Sequence, residues 1–215
     1  MDESKLREQI CTFAASMFNR GLTHGSTGNI SVRVNDDAIL VTPSGSSFGK
    51  LDPNEIVKVT KEGSLIGSSV PTKELPLHKA FYETRGLKSG AVVHLHSTHS
   101  VALSMLPGIN VDSVLPSYTP YSIMLLGKVK LLPFVVPGDP AMGEAIKGLA
   151  GKRSAVLLAN HGPVVSGKNL EASVNAIEEL EATAKLALIL KGAEPIQLNE
   201  NQINSVVNKF NIDWD

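Results

Sequence analysis

Three histidines in this chain have the residue type and spacing that suit a divalent metal. His94 and His96 are separated by one residue inside the apolar segment 91–96. Because a β-strand sends residues i and i+2 to the same face, we expect these two imidazoles to stand side by side. Catalytic zinc sites combine three protein ligands with one open position, and neutral imidazole is a common donor. The pair therefore predicts a metal site that needs a third ligand from elsewhere.

His161 is the best candidate for that third ligand. It follows the apolar run 156–159 and precedes Gly162 and Pro163, which places it at a strand end, where α/β sheets gather their ligands. The weaker candidates, in a loop, in a helix and in the first turn of a helix, are His24, His78 and His99. From the residues alone, the alternative of partly buried strand histidines that hold no metal stays open.

Two glycine-rich segments have a composition that suits an anion. Residues 25–29 and 42–45 combine glycines with hydroxyl side chains, so that backbone N–H and side-chain O–H groups can converge on one ligand. Each segment is equally typical of a plain turn. Glu74 opens a predicted helix, where an acidic side chain can serve merely to complement the helix dipole. These residues become informative only when they are considered together.

The elements that must position these residues alternate along the chain. Apolar spacing predicts helices over residues 5–19, 73–85, 98–106, 142–149 and 170–191, and strands over residues 30–34, 38–42, 56–60, 91–96, 131–135, 155–159 and 164–166. Because helices fall between strands, we predict an α/β fold with a central mixed sheet covered by helices on both faces. No Gly-x-Gly-x-x-Gly motif follows the first strand, which argues against a dinucleotide-binding fold.

Length and composition exclude several classes of partner. The chain has 215 residues and a net charge of −1, so we predict one domain over residues 1–215 and no nucleic-acid partner. Residues 1–7 are polar and charged, without the basic start and apolar core that are typical of a signal peptide, and no apolar run approaches the roughly 18–20 residues of a membrane span. We therefore expect a cytoplasmic protein without a membrane partner.

Five short motifs, in order along most of the chain, resemble the class II aldolase family. They are residues 25–29, 42–45, 72–74, 92–96 and 160–162. This family includes fuculose-phosphate aldolase, ribulose-phosphate epimerase and the adducin head domain. The resemblance implies a single-domain, three-layer α/β/α fold with a mixed, largely antiparallel sheet. It also implies a homotetramer whose active sites lie at subunit interfaces.

The resemblance also assigns roles by position. It implies that His94, His96 and His161 bind one Zn²⁺, or another divalent ion, per subunit. Glu74 is implied to be a displaceable metal ligand and the acid/base, for which we expect its pKa to be raised. Tyr121 is implied to reach a neighbouring subunit's site; without the resemblance it is simply a loop aromatic. The residues implied to surround the substrate phosphate are Ser26, Gly28, Asn29, Ser44, Gly45 and Thr72.

Two departures from the aldolase pattern narrow the expected activity. Thr72-Lys73-Glu74 replaces Ser-Ser-Glu, and no tyrosine follows Lys209-Phe210, although the aldolases use that tyrosine as an acid. Thr72-Lys73-Glu74, together with residues 94–98, 157–163 and 178–181, resembles the 3-oxo-tetronate 4-phosphate decarboxylase subgroup. We therefore expect a lyase of sugar-acid catabolism that forms dihydroxyacetone phosphate and CO₂ from a small phosphorylated sugar acid, through a zinc-stabilised enediolate.

One further residue has an expected role, and three alternative functions remain open. Lys73 is a compact cation that we assign to binding the substrate's carboxylate or phosphate, and it is equally typical of a solvated helix start. The main alternative activity is a sugar-phosphate aldolase or epimerase. A non-enzymatic module like the adducin head would not need the metal residues. A metal-dependent hydrolase would use zinc to activate water, but the sequence offers only one carboxylate near the proposed ligands.

Overall fold

A computed structural model describes residues 2–214 of the chain. The helices of this range are α1 (Glu3–Asn19), α2 (Leu75–Arg85), α3 (Thr98–Ser104), α4 (Pro120–Leu126), α5 (Ala141–Lys147), α6 (Leu170–Ile189) and α7 (Glu200–Phe210). The strands are β1 (Asn29–Asn35), β2 (Ala38–Val41), β3 (Val57–Thr60), β4 (Leu65–Ile66), β5 (Ala91–His94), β6 (Lys130–Leu132), β7 (Ala155–Leu158) and β8 (Gly162–Gly167). Within residues 2–214, no helix combines the length and apolar character that crossing a membrane requires.

All the strands of residues 2–214 join one mixed sheet in the order β4-β3-β2-β1-β5-β8-β7-β6. Neighbouring strands are antiparallel except for the parallel pair β6 and β7. Because side chains alternate across each strand, the sheet has two buried faces. Ala91 and Val93 face the core layer that includes α1, α3 and α6, whereas Val92 faces α2 and α5. The predicted three-layer architecture is confirmed.

The differences from the predicted elements are confined to their ends and to weakly patterned segments. The strand predicted over residues 91–96 ends at His94, and the strand predicted over residues 131–135 ends at Leu132. The helix predicted from residue 73 begins at Leu75, with Glu74 at its N-cap. Helices α4 and α7 and the short strand β4 were not predicted. Tyr121, interpreted from the residues alone as a loop aromatic, lies in the first turn of α4.

Candidate metal centre

Strands β1 and β5 bring the first parts of the site together. Asn29 pairs with His94 in the antiparallel ladder, so these two side chains are cross-strand neighbours on the face covered by α2. The loop before Asn29 passes close to the end of β5: a Cβ at Gly28, where φ is +88°, would lie 3.1 Å from the carbonyl oxygen of His94. Only glycine has both the φ value and the small volume that this approach needs. The close approach of the loop to β5 therefore explains why residue 28 is a glycine.

His161 is placed by the tight hairpin between β7 and β8. Leu158 pairs with Gly162, so the loop consists of residues 159–161, and Asn160 has a positive φ of 56°. Asn tolerates this left-handed conformation better than most residues. Gly162 has φ +149°, and a Cβ there would overlap the carbonyl oxygen of Leu95. The Asn-His-Gly sequence thus lets the hairpin carry His161 against the segment that holds His96.

The metal-ligand atoms of Glu74, His94, His96 and His161 lie within 4.8 Å of one another. The Nε2 atom of His96 is 3.1 Å from the Nε2 atoms of both His94 and His161. The carboxylate oxygens of Glu74 lie 3.4 Å from His94 Nε2 and 3.3 Å from His161 Nε2. Among residues 2–214, this is the one cluster of histidine, cysteine and acidic groups with metal-site spacing.

The imidazoles of this cluster face one another through their Nε2 atoms. His94 donates from Nδ1 to the carbonyl oxygen of Pro163 over 2.9 Å, which leaves its Nε2 unprotonated in the neutral ring. Burial and the neighbouring imidazoles lower the pKa of His96 to about 3 and that of His161 to about 4. These two side chains are therefore neutral at pH 7, which is the state that binds a metal ion.

Glu74 is a buried carboxylate, 6% exposed. Burial raises the pKa of its carboxyl group, but His94, the hydrogen bond from Asn29 and His161 outweigh that effect, so that the pKa lies below its ordinary value. The sequence had led us to expect a raised pKa, and that expectation is wrong for the chain by itself. The reason is that positive charge on the neighbouring imidazoles and the hydrogen bond from Asn29 both favour the charged form of the carboxylate. Glu74 therefore begins as an anion that can act as ligand or base.

These residues fit a divalent metal ion. Two donors about 2.1 Å from a tetrahedral ion lie about 3.4 Å apart, and the measured contacts around His96 and Glu74 are 3.1–3.4 Å. His94 donates from Nδ1, so in the neutral ring its Nε2 offers only a lone pair to the other two imidazoles. A cation at their centre would satisfy all three lone pairs and the carboxylate together.

The loops expected to bind phosphate lie at the same end of the sheet. The N–H group of Thr72 donates to the carbonyl oxygen of Thr42, and the N–H group of Ser44 donates to that of Val70. The side chain of Thr42 accepts a hydrogen bond from the N–H group of Ile30, next to Asn29. These contacts connect the segments around residues 29, 44 and 72. Ser26, Ser44 and Gly45 are exposed there, Gly28 is half-buried, and Asn29 and Thr72 are buried.

Lys73 and Tyr121 occupy different surroundings. Lys73 is exposed beside Glu74, its stem lies next to Gly138, and its charge contributes to the low pKa of His161. It is therefore a cation at the edge of the cluster. Tyr121 is 60% exposed on α4, and within residues 2–214 its hydroxyl makes no hydrogen bond to the metal-site residues.

Sequence reasoning missed two sets of buried polar residues behind the ligands. The first set begins at Asn29, which contacts Glu74, and continues to His78. The second is Glu181 on α6, whose carboxylate accepts from the N–H groups of His99 and Ser100 at 2.9 and 2.8 Å and from the Ser100 hydroxyl at 2.6 Å. Glu181 thereby caps α3, which follows His96 closely. The acidic run 178–181 was the available signal.

We expect Glu181→Gln to destabilise the protein by about 2 kcal/mol at neutral pH. The substitution replaces charge-assisted hydrogen bonds with neutral ones, and it places the side-chain NH₂ group of glutamine against an N–H or O–H donor of α3. Burial raises the pKa of Glu181, but its hydrogen bonds outweigh this and hold the pKa below the ordinary 4.5. A lowered folded-state pKa stabilises the fold above the unfolded-state pKa, and that stability is lost as the pH falls through the folded-state value. Urea unfolding of both proteins should therefore show a difference that is constant near pH 7 and shrinks below about pH 4.5.

Glu178→Gln is the matched control. Glu178 lies on the same helix and pairs with Arg20, whose side chain is 50% exposed. Because exposed ion pairs contribute about 0–1 kcal/mol, we expect little loss of stability. Equal destabilisation by the two substitutions would show that Glu181 has no special capping role.

Comparisons with known proteins agree with this geometry. The model of the family described as Class II Aldolase and Adducin N-terminal domain matches residues 8–188. A 3-oxo-tetronate 4-phosphate decarboxylase of Escherichia coli O6:H1 strain CFT073 is 45% identical over 195 residues, 91% of each chain. An L-fuculose phosphate aldolase of the same strain is 31% identical over 214 residues, 98% of this chain and 96% of that protein. The crystal structure of YgbL from Escherichia coli superposes with a TM-score of 0.91 at 42% identity, covering 95% of this chain and 98% of that one.

Proposed function

We propose that this chain, which belongs to the class II aldolase and adducin family, decarboxylates a 3-oxo-tetronate 4-phosphate. The family resemblance that the motifs predicted is confirmed by the match over residues 8–188. The observation that carries the proposed activity is the convergence of Glu74 with three imidazole nitrogens beside glycine- and serine-containing loops. The name of a relative that is 45% identical supplies the substrate class.

The proposed reaction breaks one carbon–carbon bond. The substrate has a ketone at C3, next to the hydroxylated C2 that carries the carboxylate. When the bond from C2 to the carboxylate breaks, CO₂ leaves, and the electron pair enters the C2–C3 bond and the C3 oxygen. A proton must then reach C2, which gives dihydroxyacetone phosphate. One proton is consumed overall, so the site has to stabilise an oxyanion and deliver a proton.

We assign the metal to His94, His96, His161 and, before substrate binds, Glu74. Zinc is the proposed ion because neutral imidazoles with a carboxylate are a donor set typical of catalytic zinc. When bound, the ion would supply Lewis-acid stabilisation of negative charge on oxygen, typically several kcal/mol. The side-chain amide of Asn29 donates a hydrogen bond to Glu74 Oε2 at 2.7 Å. We propose that this bond holds the carboxylate beside the cluster when substrate takes its place as a ligand.

Glu74 then moves the proton. It begins as a carboxylate, because its pKa lies below the ordinary value. Once it is displaced from the imidazoles, the lowering effect of His94 and His161 weakens while burial still favours the neutral acid. Glu74 can therefore take up a proton from solvent and return it to C2 as general acid. The lowered pKa of the resting carboxylate is therefore compatible with the general-acid role that the resemblance implies.

The phosphate is assigned to the loops at the same end of the sheet. The residues proposed to contact it are Ser26, Gly28, Asn29, Ser44, Gly45 and Thr72. Ser26, Ser44 and Gly45 are exposed and available to a ligand, while the side chain of Asn29 is already engaged by Glu74. We therefore propose that Asn29 contributes mainly through the position of its backbone and through Glu74.

Lys73 is proposed to bind the substrate's carboxylate or phosphate. We expect Lys73→Ser to raise KM by roughly 5- to 10-fold with little change in kcat, because a charge-assisted contact at an exposed position contributes about 1 kcal/mol or slightly more. Steady-state kinetics with the phosphorylated substrate measure this. Lys79→Ser, on helix α2 and away from the cluster, should leave both constants unchanged. Unchanged constants for Lys73→Ser would remove Lys73 from the site.

The C-terminal segment favours decarboxylation over aldol cleavage. No tyrosine follows Phe210. The segment after α7 instead packs on its own chain, where Asp213 pairs with Lys88 at 3.1 Å and the ring of Trp214 lies under Lys128. Decarboxylation needs no acid for a departing aldehyde oxygen, so it can proceed without that tyrosine.

A homotetramer with sites at subunit interfaces is also part of the proposal. Exposed apolar side chains on α4 and on the loop after β6 support it, including Tyr121, Phe134 and Val136. Apolar exposure of this kind is typical of surfaces that bind other chains. In this arrangement Tyr121 would reach the site of a neighbouring subunit. Light scattering of the purified protein tests the assembly.

The experiment that tests the activity is a coupled assay for CO₂ and dihydroxyacetone phosphate. D- and L-3-oxo-tetronate 4-phosphates would each be given to zinc-loaded and to EDTA-stripped protein. We expect metal-dependent release of both products from one of the two stereoisomers. Metal-dependent cleavage of fuculose 1-phosphate without CO₂ release would instead favour the aldolase alternative, which the relative at 31% identity represents.

A further inference from the structure

A line of buried hydrogen bonds runs from Glu74 to Tyr82 behind the candidate metal centre. Asn29 donates from Nδ2 to Glu74 Oε2 at 2.7 Å, and its Oδ1 lies 2.5 Å from His78 Nε2. On the other side of the imidazole, His78 Nδ1 lies 2.7 Å from the hydroxyl of Ser31. That hydroxyl is 2.8 Å from the hydroxyl of Tyr82. Each polar group in this line therefore has a partner on both sides until Tyr82.

The direction of every hydrogen bond in the line follows from the first one. The amide nitrogen of Asn29 donates to a carboxylate oxygen of Glu74, so the amide oxygen faces His78. His78 must then donate from Nε2. Burial lowers its pKa to about 3, so its ring is neutral and Nδ1 is an acceptor. Ser31 donates its only hydroxyl proton to that nitrogen. The Tyr82 hydroxyl must therefore donate to the Ser31 oxygen.

The line is sealed from water. Ser31 and His78 are fully buried, Asn29 is 5% exposed and Tyr82 is 9% exposed. In such surroundings a lost partner leaves a polar atom unpaired at a cost of about 1–3 kcal/mol, so no member can rotate freely. At the far end the guanidinium of Arg33 lies over the Tyr82 ring, 4.9 Å from its centroid. The hydrogen bonds of His78, Ser31 and Tyr82 therefore determine the orientation of the Asn29 amide.

We propose that His78, Ser31 and Tyr82 are positioning residues, which fix the Asn29 amide so that it holds the Glu74 carboxylate in the orientation required for proton transfer. The inference rests on the proposed function, because it assigns the chemistry to Glu74. None of these three side chains touches the reacting atoms. Without them the amide of Asn29 could rotate or flip, and Glu74 Oε2 would lose its donor.

Ser31→Ala tests this inference, and the sheet offers a matched control. Ser31 on β1 and Ser166 on β8 are both register partners of Val92, one on each side of β5, and both are buried. The Ser166 hydroxyl contacts the hydroxyl of Ser89 instead of the line to Glu74. The two substitutions therefore remove the same atom from equivalent places in the same sheet. Only one of them interrupts the line.

We expect Ser31→Ala to lower kcat by about 10-fold or more, within the range of roughly 10- to 100-fold that is typical of outer-shell partners, with KM within about twofold of its original value. Ser166→Ala should change neither constant. Tyr82→Phe, which removes the last hydroxyl only, should lower kcat less than Ser31→Ala does. It serves as the second variant if Ser31→Ala does not fold.

A readout that is independent of turnover is the visible absorption spectrum of the protein loaded with Co²⁺ alone, which reports the position of Glu74 among the ligands. Ser31→Ala should shift this spectrum, and Ser166→Ala should leave it unchanged. A folded Ser31→Ala protein with unchanged kcat and an unchanged Co²⁺ spectrum would overturn the inference. If the original protein released no CO₂ while Ser31→Ala still shifted the spectrum, the proposed function would fail and the positioning line would stand.

Discussion

Glu74→Gln should lower kcat for CO₂ release by roughly 10²- to 10⁴-fold while leaving the metal bound. The loss is the usual contribution of a general acid or base, because the amide cannot carry a proton to C2. The three imidazole nitrogens remain, so metal content measured by mass spectrometry should stay near one ion per chain. Asn29 can still donate to the oxygen of glutamine, which keeps the buried line behind it in place.

The control for this prediction is Glu83→Gln. Glu83 lies on the same helix and pairs with Lys147 at 2.9 Å, far along α2 from its N-cap. This substitution removes the same charge without touching the cluster, so we expect kcat to stay within about twofold. A Glu74→Gln protein that binds metal and keeps kcat within tenfold of the original would exclude Glu74 as the proton carrier.

The sequence predicted the architecture well because the strong apolar patterns were also the buried ones. The strand around Val92 is fully buried and the long helix α6 buries one apolar face, and both were predicted within a few residues. Helix α7 was missed, and none of its residues is buried. Helix α4 is short and begins at a proline, so its seven residues offer too little periodicity to recognise. A helix that buries little apolar surface has weak apolar periodicity, so the sequence gives little indication of it.

The candidate site could be predicted only in part from the residues. The spacing of His94 and His96 indicated two neighbouring imidazoles, and their ring centroids lie 4.9 Å apart, although the strand itself ends at His94. Glu74 and the phosphate loops had no distinctive pattern and were assigned through the family resemblance. The reason is that they converge through tertiary contacts, such as that between Thr72 and Thr42, which are remote in sequence.

The least predictable part of the site is the buried line behind it. Ser31 lies on a strand and His78 on a helix, 47 positions apart in the chain. On a helix, His78 was interpreted as a weak metal candidate, whereas the structure gives both of its nitrogens to hydrogen bonds. The available signal in the sequence was a histidine among the apolar residues of a predicted helix. Such a residue needs partners on both nitrogens, and only the fold reveals which residues supply them.

His161→Ala should abolish metal binding at stoichiometric concentrations and reduce CO₂ release to the level of EDTA-treated protein. Outer-shell changes typically weaken a metal site 10- to 100-fold, and loss of a ligand should exceed about 100-fold. His161 also faces Glu74 at 3.3 Å, so the substitution removes one of the groups that keep the carboxylate in the cluster. Competition with a chromogenic zinc chelator measures the change in affinity.

His24→Ala provides the control for a histidine outside the ligand set. His24 is exposed in the loop before the first glycine-rich motif, and the cluster of residues 2–214 does not include it. Its replacement should leave the zinc affinity unchanged. If His161→Ala retained the original affinity, the metal would have to be held without the β7–β8 hairpin. The convergence of three imidazoles would then be a packing feature, and an acid/base site on Glu74 alone could not stabilise the oxyanion that decarboxylation requires.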